Sequence, residues 1–91
     1  MEIEEIRKQV DELDDEILNN LIKRKDLVKE LSTIKKEMNT PVFDEKRETE
    51  ILNRLRKKAK EYGLEENFVA AIFKIILENS KLEQEKEESG S

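Results

Sequence analysis

The sequence predicts an all-α fold of three helices, one long and two shorter, completed as an intertwined homodimer. Three observations carry this expectation. Apolar residues from Ile3 to Met38 keep a heptad-like rhythm that no Gly or Pro interrupts. The chain holds only two Gly and one Pro in 91 residues and is 45% charged, which suits long helices and disfavours sheets. Aromatic residues make up 4%, and a chain this short buries only about 60–65% of its extended surface. One copy therefore builds a lean core.

The first helix is predicted over residues 3–38, about 50 Å at 1.5 Å per residue. Ile3, Val10, Ile17, Leu31 and Met38 fill one seam position, and Ile6, Leu13, Leu27 and Ile34 fill the other. The breaker cluster Asn39-Thr40-Pro41 ends it and forms the main loop. A second helix should begin near Asp44, whose side chain can cap the free N–H groups that follow. Ile51, Leu52, Leu55, Ala59 and Tyr62 give it one apolar face, and Gly63 is a natural stop. The third helix is expected from about residue 65 to 84, with Phe68, Ile72, Phe73, Ile76 and Leu77 inward. Residues 1–84 thus read as a single helical domain. Residues 85–91 (EKEESGS) have nothing to bury and read as a polar, disordered tail or an expression remnant. Two helices of about twenty residues cannot cover an apolar stripe of about 50 Å. A second copy is the simplest cover.

Composition narrows the chemistry. A net charge of −5 argues against nucleic acid or an acidic membrane as partner. The chain has no Cys and no His, so thiol nucleophiles, disulfides, imidazole bases and the usual zinc ligands are all missing. No metal or cofactor is expected. The opening segment MEIEEIRKQV is too charged for a signal peptide, and no apolar run approaches membrane length. A cytoplasmic protein is expected.

Two residues interrupt the seam, Asn20 and Arg24. A guanidinium held against a helix interface needs an anion, because an unpaired buried charge costs several kcal/mol. Lys35 lies eleven residues on, which brings it back to within about 20° of Arg24's bearing. Arg7 lies seventeen residues before Arg24, about 25 Å along the axis. It cannot reach that site in its own chain, but an antiparallel partner could deliver it. On the third helix, Ser80 and Gln84 extend the apolar stripe Phe73, Ile76, Leu77. Asp44, Arg47 and Glu48 crowd the first turn of the second helix, where free backbone N–H groups can meet a ligand's oxygens. Folding the helices back would gather Arg24, Lys35, Arg47, Glu48, Ser80 and Gln84.

Each residue also has a plainer explanation. Asn20 can set register, Asp44 can be just a cap, and Arg47 and Glu48 can be solvated first-turn charges. Ser80 and Gln84 can be helix-end polarity, Lys35 can snorkel, and Arg24 can pair with a carboxylate. Spacing alone supports a small anion in a helical dimer and no more.

Five stretches go further: I-R-K-Q-V-D-E-L-D at 6–14, L-I-K-R-K-D-L-V around Arg24, T-I-K-K at Lys35, P-V-F-D-E-K-R-E at 41–48 and I-I-L-E-N-S-K-L-E-Q at 75–84. Over about residues 4–84 the chain resembles the all-α chorismate mutase family, short enzymes that convert chorismate to prephenate in aromatic amino acid biosynthesis. The resemblance implies a cofactor-free isomerase that binds chorismate as a homodimer. Arg24 and the partner's Arg7 would hold the substrate's two carboxylates. Lys35 and Gln84 would hydrogen-bond the ether oxygen whose bond breaks. Glu48 and the backbone near Asp44 would take the ring hydroxyl with Arg47 beside them, and Ser80 would sit near a carboxylate. Arg24, Lys35, Glu48 and Gln84 would be the catalytic set.

Two rivals are open. Isochorismate-pyruvate lyases resemble the same fold but lack acidic residues at positions matching Asp44 and Glu48. A non-catalytic helical dimerisation module would use its polar seam residues only for register.

Overall fold

A computed structural model describes residues 2–41 and 44–89, the last three by backbone alone. It contains three helices, α1 (Ile3–Glu37), α2 (Glu45–Glu61) and α3 (Glu66–Ser89), and no strand among the described residues. Val42 and Phe43 of the stretch at 41–48, and Gly90 and Ser91 of the tail, lie outside the described residues.

Local chemistry sets the helix ends. Asn39 takes a left-handed conformation at φ 55°. Thr40 N–H donates to the Lys35 carbonyl at 2.9 Å and Asn39 N–H to that of Lys36 at 3.2 Å. This bond pair is a Schellman cap with Asn in the place usually held by Gly, and Pro41 then prevents continuation. Asp44 caps α2, its Oδ1 accepting from the N–H groups of Lys46 at 3.0 Å and Arg47 at 3.3 Å. Gly63, at φ 75°, closes α2 the same way, with Leu64 N–H on the Ala59 carbonyl at 2.8 Å. The third helix departs from expectation. It continues five residues past Gln84, because nothing between Glu85 and Ser89 breaks a helix and Glu and Lys favour one. The tail expected to be disordered is helical as far as the structure describes it.

The packing is a single layer. α3 lies against both α1 and α2, whose backbones stay apart from each other. The molecule measures 55 × 27 × 15 Å, little more than one helix diameter deep. Its radius of gyration is 16.4 Å, against about 12 Å for a compact domain of this length. Buried apolar side chains among the described residues are Ala59, Ala70 and Leu77.

Every residue from 2 to 23 is exposed, so the first half of α1 projects beyond its own bundle. In the second half only Arg24, Val28, Ser32 and Lys35 are buried or half-buried. Their spacing of four, four and three makes one stripe. The apolar seam runs beside it, with Leu27 65% and Met38 69% exposed. α1 therefore meets its own chain through a largely polar stripe and leaves its apolar seam open. Three side chains expected inward are also exposed, Tyr62, Phe68 and Ile72. Phe68 and Ile72 share one face of α3, and Tyr62 lies at the C-terminal cap of α2.

Ion pairs brace the α2–α3 corner. Arg56 donates to Glu66 at 3.2 Å and to Asn67 at 3.0 Å, while Lys60 pairs with Glu66 at 2.9 Å. The hydrogen bond from Lys60 is the main cause holding the Glu66 carboxyl below its ordinary value. No described helix is long and apolar enough to cross a membrane.

Two outcomes are expected. Ser32 is 3% exposed and its hydroxyl has no partner among the described residues. Ser32→Ala should raise stability by about 1 kcal/mol, read as a higher melting temperature; a lower one would show that the hydroxyl is satisfied. Glu66's contribution is present above the ordinary carboxylate range and is lost as pH falls through its lowered folded value. Urea titrations at pH 7 and pH 3 should therefore show a larger loss for wild type than for Glu66→Gln. Equal losses would count against the corner network.

Candidate active site

The gap between α1 and α2, floored by α3, forms a cleft of about 230 Å³. Enclosed small-molecule sites usually hold about 300–1,000 Å³; this one is smaller and open on a side the single layer does not wall. Three stripes of helical spacing converge on it. α1 supplies Arg24, Leu27, Val28, Leu31 and Lys35. The start of α2 supplies Asp44, Arg47, Glu48 and Ile51, and α3 supplies Leu77, Ser80, Lys81 and Gln84. The α1 and α2 backbones stay apart, so polar side chains from both helices line the gap between them.

Arg24 sits where α1 crosses α3. Its guanidinium donates to the Ser80 hydroxyl, which donates its own proton to the Ile76 carbonyl at 3.0 Å. Ser80 thus offers lone pairs toward Arg24 and has no proton left to offer. No carboxylate pairs with Arg24 among the described residues. Burial pulls its pKa below the ordinary arginine value, yet an arginine stays cationic wherever the protein folds. The result is a held guanidinium with a neutral partner and spare donors, an arrangement suited to an anion.

The other walls differ in detail. Lys35 is half-buried in the last turn of α1, and its carbonyl carries the Thr40 cap bond. Glu48 is half-buried in the first turn of α2. Arg47 is exposed and lies 3.8 Å from Glu50. The backbone N–H groups expected to greet a ligand at that turn are largely spent. Asp44 takes those of Lys46 and Arg47 with its side chain, and that of Glu48 with its carbonyl at 3.1 Å. An acidic cap outcompetes a ligand there.

Seven of the eight expected site residues, Arg24, Lys35, Asp44, Arg47, Glu48, Ser80 and Gln84, line this one cleft. Arg7 does not. It lies on the projecting half of α1, paired with Glu4 at 2.9 Å. Lys81 was missed from sequence because it opens a polar run. Its position four residues after Leu77 and three before Gln84 was the signal that placed it on the cleft stripe.

Comparison with known proteins agrees with the geometry. Residues 6–85 match the family model for chorismate mutase type II. The chain is 39% identical over 82 residues to a chorismate mutase of Methanocaldococcus jannaschii, covering 90% of this chain and 83% of that one. It is 34% identical to a bifunctional chorismate mutase/prephenate dehydratase of Buchnera aphidicola over 88% of this chain and 21% of the relative. A bifunctional protein of the same description from Aquifex aeolicus is 40% identical over 68% of this chain and 17% of its own. The chain spans about a fifth of these bifunctional relatives and most of the monofunctional one. Since the match runs through all three helices and every wall of the cleft, the chain belongs to the chorismate mutase type II family.

Proposed function

We propose that the protein is a chorismate mutase that rearranges chorismate to prephenate in aromatic amino acid biosynthesis, acting as a cytoplasmic homodimer. The observation that carries this is the cleft itself, where side chains from three helices surround an arginine whose partner is neutral.

The reaction breaks the ether C–O bond as a C–C bond forms, within one molecule and without proton transfer or nucleophile. It needs a flexible dianion held compact, and donors where charge grows on the ether oxygen. Arg24 takes one carboxylate through its planar fork, with Ser80 holding the guanidinium in place. Lys35, from the end of α1, and Gln84, from α3, approach the ether oxygen from two walls. Glu48 accepts from the ring hydroxyl beside Arg47 and the capped turn at Asp44.

The second carboxylate needs a second cation, and Arg7 supplies it from the partner subunit. Three features support that assembly. The first half of α1 projects with all its side chains exposed, the apolar seam is open, and the molecule is one layer deep. An antiparallel second copy would lay its projecting half along this seam and wall the cleft's open side.

Three experiments test this. Purified protein should convert chorismate to prephenate, identified by chromatography, and leave isochorismate untouched. Salicylate and pyruvate from isochorismate alone would assign the lyase reaction, and no turnover of either by folded protein would leave a helical module. With the activity in hand, inactive Arg7→Ala and Arg24→Ala chains, unfolded together and refolded, should regain about a quarter of wild-type activity, since mixed dimers keep one intact site. No recovery would reject the shared site. Gln84→Glu should lose about 10²–10³ in kcat near pH 8, where the new carboxylate is ionised and cannot donate, and recover toward acid pH. Equal activity at pH 8 would remove Gln84 from the ether oxygen.

A further inference from the structure

Beyond the residues already assigned, the cleft contains one more cation. Lys81 is half-buried and lines it together with Leu77, Ser80 and Gln84. These four fall within an arc of about 100° on α3. Ser80 marks the edge of that arc turned to α1, because Arg24 bonds it there. Lys81 therefore marks the opposite edge, on the side of α2, where Asp44 and Glu48 stand.

That side has a problem to solve. The chain carries a net charge of −5, and α2 lines the cleft with two carboxylates and one exposed arginine. A dianion approaching from solvent meets a repulsive field there, while the cations that bind it sit across the cleft on α1. We infer that Lys81 is a substrate-capture residue, a cation that offsets Asp44 and Glu48 at the α2 side and raises the local concentration of dianion. This rests on the mutase proposal for the identity of the dianion. An ammonium on a flexible four-carbon stem suits the task, since capture needs charge within reach and no fixed geometry. Such a residue acts on binding and on salt dependence and leaves the rearrangement alone.

The test compares Lys81→Gln and Lys81→Arg with Lys74→Gln, an exposed lysine on α3 outside the cleft. Steady-state rates with chorismate would be measured from about 20 to 300 mM salt, a range over which the screening length falls severalfold. Lys81→Gln should raise KM about fivefold with kcat within about twofold, and should flatten the decline of kcat/KM with salt. Lys81→Arg should restore KM, and Lys74→Gln should match wild type. An unchanged KM and salt slope in folded Lys81→Gln would overturn the inference, as would a fall in kcat alone or the same change in Lys74→Gln. Calorimetric titration of chorismate separates this from failure of the mutase proposal. If wild type binds without turnover, the mutase fails while weaker binding by Lys81→Gln still supports the capture role. If wild type does not bind, both fall.

Discussion

The structure depends on one contact, the Arg24 guanidinium held on the Ser80 hydroxyl and through it on the Ile76 carbonyl. A carboxylate in place of Ser80 would have settled the charge within the protein and left nothing for a ligand to neutralise. A neutral acceptor fixes the direction of the guanidinium and leaves its charge available. The cost is a cation at the crossing of α1 and α3 in a protein with very little buried apolar surface. A protein under selection for stability alone gains by replacing such a group with a hydrophobe. In the proposed site that cation is put to use, with Lys35, Gln84 and Glu48 lining the same cleft.

That choice has a consequence along α1. The stripe that meets α3 is Arg24, Val28, Ser32 and Lys35, so this helix gains little from its own bundle. Its apolar seam remains open to water along the full length of the helix. In the proposed dimer these two facts have one explanation. The polar stripe builds the site and the apolar seam binds the second copy, so catalysis and assembly use different faces of one helix. In that proposed dimer, folding would be tied to protomer concentration, because the apolar seam would be covered only on association.

Much of this was legible in the sequence, for reasons that differ by residue. Asn39 and Gly63 were readable as stops because few residues tolerate a left-handed backbone, and Asp44 as a cap because its side chain bonds the turn that follows it. Six cleft residues, Arg24, Lys35, Arg47, Glu48, Ser80 and Gln84, could be gathered because helical spacing converts sequence intervals into bearings. Bearings fail where the neighbour is unknown. Phe68 and Ile72 have the spacing of an inward face, yet the face they share has no helix opposite it. Lys81 failed for the opposite reason. It has an inward bearing, but a lysine at the start of a polar run reads as solvent-facing until the cleft beside it is known. Residues 85–89 continue α3 because a segment with nothing to bury can still extend a helix already begun.

A reaction that asks for no proton and no nucleophile makes its site sensitive to position above all. Chains without Cys and His lose nothing here, but misplacement by about 1 Å can cost about 10² in rate. The termini of the helices therefore matter as much as the side chains in the cleft. Lys35 stands in the last turn of α1, where its own carbonyl receives the Thr40 cap bond. Glu48 stands in the first turn of α2, where its N–H closes on the Asp44 carbonyl. The two residues lie on opposite walls of the gap between the α1 and α2 backbones. Asn39 fixes how the chain leaves one wall and Asp44 how it enters the other. Asp44 also lines the cleft, its Oδ1 committed to the cap. Its place among the site residues follows first from what it does to the backbone.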